Sequence, residues 1–278
     1  RIPGGAIMTS TIKADAIEAA TGTNTALSLK GKGSGVVTIG DGNLQFPDVD
    51  GTNGHFIKTN GSGVLSFAEA GGGGLQSVQV FTASGTWTKP AGITKVIVYV
   101  QGAGGGGGAA AALNDLGGGG YAGSRGEKFI DVSAISSETV TIGAGGAGGV
   151  AGANNGTVGG TSSFGAHVSA PGGPGGYYST NSTVNQPASS VATGGDVNVS
   201  GAPGDQHKAT HDDGTRRGGW GGSSTYGSGG AGHDGAAANT ARLVPSGYGG
   251  GGQGGGNGSA ADEGGAGSGG IIIVEEYA

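Results

Sequence analysis

The chain has 278 residues, a formal net charge of -6 and no cysteine. The charge balance and the lack of any basic run argue against nucleic-acid binding, and the missing cysteine excludes disulfides and thiolate chemistry. Glycine supplies 72 residues, while hydrophobic residues reach 34% and aromatics 5%, so a side-chain core cannot extend over the whole length.

Such a bias would also suit a disordered, low-complexity chain. Two strongly apolar segments that bracket the glycine-rich part argue against that reading. No stretch approaches the ~20 apolar residues of a membrane-spanning helix, and residues 1–7 lack the apolar run of a signal peptide. Met8 is the only methionine. Translation beginning there and a chain cut from a longer protein are equally compatible with the residues before it.

Three zones follow in order. Residues 8–70 are turn-rich, with short strand-like runs. Val36 to Ile39 and Leu44 to Phe46 flank Gly40-Asp41-Gly42-Asn43, a good hairpin turn. Further turns at 50–54 and 60–63 separate Phe56-Ile57-Lys58 from Val64-Leu65-Ser66-Phe67. Residues 11–20 alternate apolar and polar, which favours extended structure over a short helix. Strands this short bury too little apolar area in one copy. Three copies around one axis would let Phe46, Phe56, Ile57 and Leu65 share a core, and His55 could then form a ring of three. Residues 71–74 are a glycine linker and the expected domain boundary.

The third zone, 75–278, opens with strands at 79–82, around Trp87, and at 93–100, the last of these the best strand in the chain. Two more are expected at 129–132 and 139–142. Then glycine dominates until Ile271-Ile272-Ile273-Val274, which reads as a central strand that can pair with 93–100. Ordering glycine is costly in backbone entropy. Extended three-residue-per-turn helices packed side by side offset that cost, because their N–H and C=O groups bond to neighbours where no Cβ intervenes. Alanine is expected at outward positions. The fold class expected is therefore mainly β: a trimeric, intertwined β shaft, then a domain of β-strands and packed polyglycine II helices. Collagen is excluded by the irregular period and the scarce proline. Gly31-Lys32-Gly33-Ser34 lacks the spacing of a phosphate-binding loop.

At this point the residues resemble a known group. The segment GNLQFPDVDGTNGHFIKTNGSGVLSF at 42–67 resembles a module of bacteriophage tail-fibre shafts. The segment FTASGTWTKPAGITKVIVYV at 81–100 precedes glycine-rich sequence that includes GGYAG at 119–123. With the terminal GIIIVEEY at 270–277, it resembles the glycine-rich C-terminal domain of the same fibres. The resemblance implies a homotrimer at the distal end of a virion tail fibre, extracellular when assembled. It also implies attachment to a host cell-surface polysaccharide or outer-membrane protein, with other tail or baseplate proteins joined through the N-terminal region. The His-x-His motif of iron-bearing fibre needles is absent.

If glycine forms the scaffold, binding chemistry belongs where glycine lapses, at 109–116, 151–158, 177–193, 203–217 and 236–246. The stretch 203–217 is richest, with Asp205, His207, Lys208, His211, Asp212, Asp213, Arg216 and Arg217, and Trp220 and Tyr226 follow. Aromatics beside charged groups suit sugars or exposed protein loops. The candidate receptor-binding residues are Tyr177, Tyr178, His207, His211, Asp212, Arg216, Arg217, Trp220 and Tyr226. Their plain alternative is an ordinary solvated loop. His207, His211 and Asp212 would need a helix to bring metal ligands together, and Gly214 argues for a loop, so neither metal nor cofactor is expected. Asp212 and Asp213 are adjacent and point apart in extended backbone, as do Asp262 and Glu263, so no paired-carboxylate hydrolase is expected. The expectation is a binding protein without enzymatic activity. A purely structural surface protein is the rival reading.

Overall fold

The computed structural model describes residues 38–39, 44–45, 52–69, 73–111, 115–180, 187–205, 217–232, 244–256 and 261–278. The chain divides into two units, Arg1–Gly71 and Gly72–Ala278. In the first, β1 (Thr38–Ile39) and β2 (Leu44–Gln45) pair antiparallel with Ile39 opposite Leu44. Residues 11–20 and Phe46 lie outside the described residues. Then β3 (His55–Thr59) and β4 (Leu65–Glu69) form an antiparallel hairpin. Asn60 builds its turn: Oδ1 accepts the backbone N–H of Ser62 at 2.8 Å and of Val64 at 3.1 Å, an Asx arrangement that mimics a backbone turn. Phe56 and Ile57 stay 46% and 49% exposed, so this hairpin has no core of its own.

The second unit begins with two packed sheets. Its strands are β5 (Leu75–Phe81), β6 (Gly85–Thr88), β7 (Lys95–Gln101), β8 (Asp115–Gly117), β9 (Arg125–Asp131), β10 (Ser137–Thr141), β11 (Ser162–Phe164), β12 (Val168–Ala170), β13 (Tyr178–Thr180), β14 (Val197–Val199) and β15 (Ile271–Tyr277). No helix occurs among the described residues, and the fold is mainly β. One sheet has the order β14-β9-β7-β15-β5, the other β12-β11-β10-β6. The two apolar segments meet as expected: β15 pairs antiparallel with β7 and lies between β7 and β5.

Alternation places Val96, Val98, Val100, Ile272 and Val274 on the inner face, against Trp87, Val140, Phe164, Val168 and Ala170 of the second sheet. The rings of Trp87 and Phe164 meet at 5.6 Å. Glu276 lies fully buried in this layer. Its Oε1 accepts the Trp87 indole N–H and the Gln79 amide N–H, each at 2.7 Å, and its Oε2 accepts the Ser77 hydroxyl. The opposite face of the first sheet leaves Val78, Val80, Phe129 and Val197 about half exposed.

Beyond the sheets the glycine runs are bonded main chain to main chain with a period of three. In the run at 102–110, the N–H groups of Ala103, Gly106 and Ala109 reach the carbonyls of Gly160, Thr157 and Asn154. Those of Gly104, Gly107 and Ala110 reach Ser268, Gly265 and Asp262, and those of Gly105 and Gly108 reach Tyr121 and Gly118. The carbonyls turn the same way: Ala103 and Gly106 accept from Gly173 and Gly176, Gly104 and Gly107 from Gly146 and Gly149, and Gly105 and Gly108 from Gly252 and Gly255. Burial along 143–150 repeats with the same period, buried at 143, 146 and 149.

Side chains would break this packing. A Cβ on Gly107 would sit 1.8 Å from the carbonyl oxygen of Gln253, and one on Gly104 1.9 Å from that of Gly250. Ala144 and Ala147 are exposed, as expected of alanine here. Ala103, Ala109, Ala110 and Ala122 are instead buried, so an outward position is not a condition for alanine in a run.

Candidate functional site

The hydrogen-bond register shows where each run begins and ends. The run 102–110 leaves β7, and 117–124 returns beside it to enter β9, with Gly105 bonded to Tyr121 and Gly108 to Gly118. The runs 143–150 and 171–177 leave β10 and β12, while 154–160 and 262–270 lead back to β11 and β15. Ala110 and Asp262, Ala109 and Asn154, and Gly118 and Tyr177 are bonded to each other at the end away from the sheets. Runs that leave and runs that return therefore alternate, and residues other than glycine gather where they turn.

Tyr177 and Tyr178 stand at that far end. Tyr178 opens β13, which pairs with β8. Its hydroxyl donates to Asp115 Oδ2 at 3.0 Å, and its backbone N–H donates to Asn155 Oδ1 at 2.8 Å. Trp220 lies in the returning run 217–222, where its carbonyl accepts the N–H of Asp205 at 2.7 Å and its side chain stays 53% exposed. Arg217 heads the same run and is partly buried. His207, His211, Asp212 and Arg216 lie outside the described residues.

Tyr226 is placed elsewhere. It sits within a tight turn, closed by Ser224 and Gly227, at the sheet end of the runs, where Ser224 Oγ donates to the Tyr248 carbonyl and the Tyr226 N–H donates to Ser224 Oγ at 3.1 Å. Its ring centroid is 5.3 Å from the Arg125 guanidinium carbon, and Tyr99 holds the same group at 5.5 Å. The candidate aromatics are thus divided between two ends of the domain. Arg125 was not singled out from sequence, whereas Asp115 and Asn155 fall within the glycine lapses at 109–116 and 151–158 without being named individually. The one signal for Arg125 was a lone cation where a glycine run meets a strand.

Several phenols are held protonated. The pKa values of Tyr99, Tyr121 and Tyr226 are raised first by burial. The carboxylate of Glu275 adds to the effect at Tyr99, whereas Arg125 opposes it at Tyr226. Tyr178 is raised by burial and then by its bond to Asp115, and Tyr277 first by its bond to Glu275. Unfolded tyrosine ionises near pH 10. Folded values above that mean the contribution is complete below about pH 10 and lost as pH rises through the folded values. Thermal melts followed by circular dichroism should therefore show a midpoint falling steeply above about pH 10, with phenolate absorbance lagging behind that of the unfolded chain.

These features, two packed sheets and a glycine scaffold bonded through its main chain, define a glycine-rich domain. The glycine-rich domain family matches residues 79–277, and the chain belongs to that family. Comparison with curated proteins gives no match.

Proposed function

We propose that this chain is the receptor-binding tip of a viral tail fibre and attaches the virion to a polysaccharide or outer-membrane protein of its bacterial host. The observation that carries the reading is the alternation of runs, which brings residues other than glycine, among them Asp115, Asn154, Asn155, Tyr177 and Tyr178, to one end of a scaffold with little freedom. Loops held by a rigid frame lose less entropy on binding than free ones. The period-three bonding and the matching burial at 143–150 support packed polyglycine II helices as that frame.

In this reading residues 1–70 are the shaft. The exposure of Phe56 and Ile57 in a single chain supports a homotrimer in which three hairpins cover one another, with the N-terminal region joined to other tail or baseplate proteins. The protein acts by binding and not by catalysis, on the virion outside the cell.

Purified protein added to host cells before the virus should block adsorption. A version with residues 203–217 replaced by a glycine-serine stretch should compete at least about tenfold less well, the loss of roughly one strong contact. Equal competition by the two versions would remove residues 203–217 from the receptor contact, and failure of the unaltered protein to block adsorption would sink the receptor role and leave a structural one.

A further inference from the structure

The outer face of the five-stranded sheet ends in a cavity at the opposite end from the turns, and no sequence motif marks it. Its centre is Arg125, the first residue of β9. The guanidinium lies between the rings of Tyr99 and Tyr226, and one terminal nitrogen holds Glu127 Oε1 at 2.8 Å. Two ring contacts and an ion pair fix this long side chain before any ligand arrives, so its ordering entropy is already spent. Beside it lies a pocket of about 310 Å³ lined by Gln101, Arg125, Val199, Ser200, Ala202 and Thr225, among others. That is the lower end of the roughly 300–1,000 Å³ of small-ligand sites.

Charge decides the ligand class. The Arg125 charge is already offset by Glu127, and Glu275 sits close by, accepting the Tyr99 hydroxyl at 3.3 Å. A carboxylate or phosphate would meet two carboxylates for one guanidinium, with little net attraction. The walls suit a neutral, hydroxyl-rich ring instead. Val199 and Ala202 offer an apolar surface to its C–H face. The hydroxyls of Ser200 and Thr225 hold no partner among the described residues, and each can both donate and accept. The Gln101 amide nitrogen is committed to the carbonyls of Gly102, Gly123 and Ser124, at 3.2, 2.8 and 3.2 Å, which fixes its side-chain oxygen as an acceptor.

We infer that this pocket binds a neutral pyranose, a single sugar ring of a larger glycan. The site stands apart from the turns assigned to the receptor, so it holds or fails independently of that role.

The test is a titration of the full chain with methyl glucoside, methyl galactoside, methyl mannoside and methyl glucuronide, followed by saturation-transfer and chemical-shift NMR. At least one neutral glycoside should bind saturably, with shifts at Gly123, Arg125 and Thr225, and more tightly than the glucuronide. Thr225→Tyr fills the cavity without breaking any hydrogen bond among the described residues and should weaken binding at least about tenfold, while Ser200→Ala should weaken it less with the melting curve unchanged. Gly85→Ala, which lies in β6 outside the pocket lining and where a Cβ meets nothing within 4 Å, should leave the affinity as it was. Absence of neutral-sugar binding, binding that survives Thr225→Tyr with a native melt, or binding of the glucuronide alone would each overturn the inference.

Discussion

Gly107→Ala should cost about 3 kcal/mol or more, at the top of the range for inserting one methyl group into a packed interior. The added Cβ would lie 1.8 Å from the carbonyl oxygen of Gln253, with the Gln253 carbonyl carbon at 2.3 Å. Neither neighbour is a side chain that can swing aside. That same carbonyl accepts the N–H of Gly265 at 2.8 Å, while Gly107 itself donates to Gly265 and accepts from Gly149. Moving any one of these groups breaks bonds between buried partners. Against a total stability of roughly 5–15 kcal/mol, such a loss is large. Gly85→Ala is the control, since a Cβ there meets nothing within 4 Å. It should change stability by no more than about 0.5 kcal/mol. Urea unfolding of the two variants measures both. Equal midpoints would show that the runs tolerate side chains and are not close-packed through their backbones.

Glu276→Ala should be comparably severe, at about 3 kcal/mol or more, because three donors lose their shared acceptor. The carboxyl group gathers the Trp87 indole N–H, the Gln79 amide and the Ser77 hydroxyl, and Trp87 and Glu276 are both fully buried. Truncation leaves these donors facing a cavity, and each buried unsatisfied group costs roughly 1–3 kcal/mol. Glu276→Gln keeps an acceptor for the indole and turns an amide toward the Ser77 hydroxyl, which can accept. Its cost should stay under about 1.5 kcal/mol. Thermal unfolding with tryptophan fluorescence reads both changes, and an alanine variant as stable as the glutamine variant would remove the network from the stability of the domain.

The strands were legible because their signals are local. The β-branched residues of 93–100 and 271–274, each long enough to cross a sheet, give β7 and β15 and their pairing. The glycine runs were legible as a scaffold from steric allowance alone. Which run lies beside which was not, because glycine offers no side chain by which one run could be told from another. Only the bonded partners reveal that 102–110 is surrounded by 118–121, 143–149, 154–160, 173–176, 252–255 and 262–268.

For the same reason the candidate residues could be chosen by type and not by place. Tyr226 and Tyr177 look alike in sequence, yet the run between 217 and 222 returns to the sheets and carries Tyr226 to Arg125. The buried carboxyl of Glu276 was hidden for a different reason. Its neighbour Glu275 has the same chemistry, and only the two-residue alternation of β15 decides which of them turns inward to Trp87.

Because successive amides in a run address three different neighbours in rotation, the scaffold carries a phase. Deleting or adding one or two residues inside a run would turn every later amide by a third of a turn and aim it at a stranger, whereas a change of three restores the original addresses. Length should therefore vary by triplets within the runs and without restriction where they turn, which lets the exposed end diversify rapidly on an unaltered chassis.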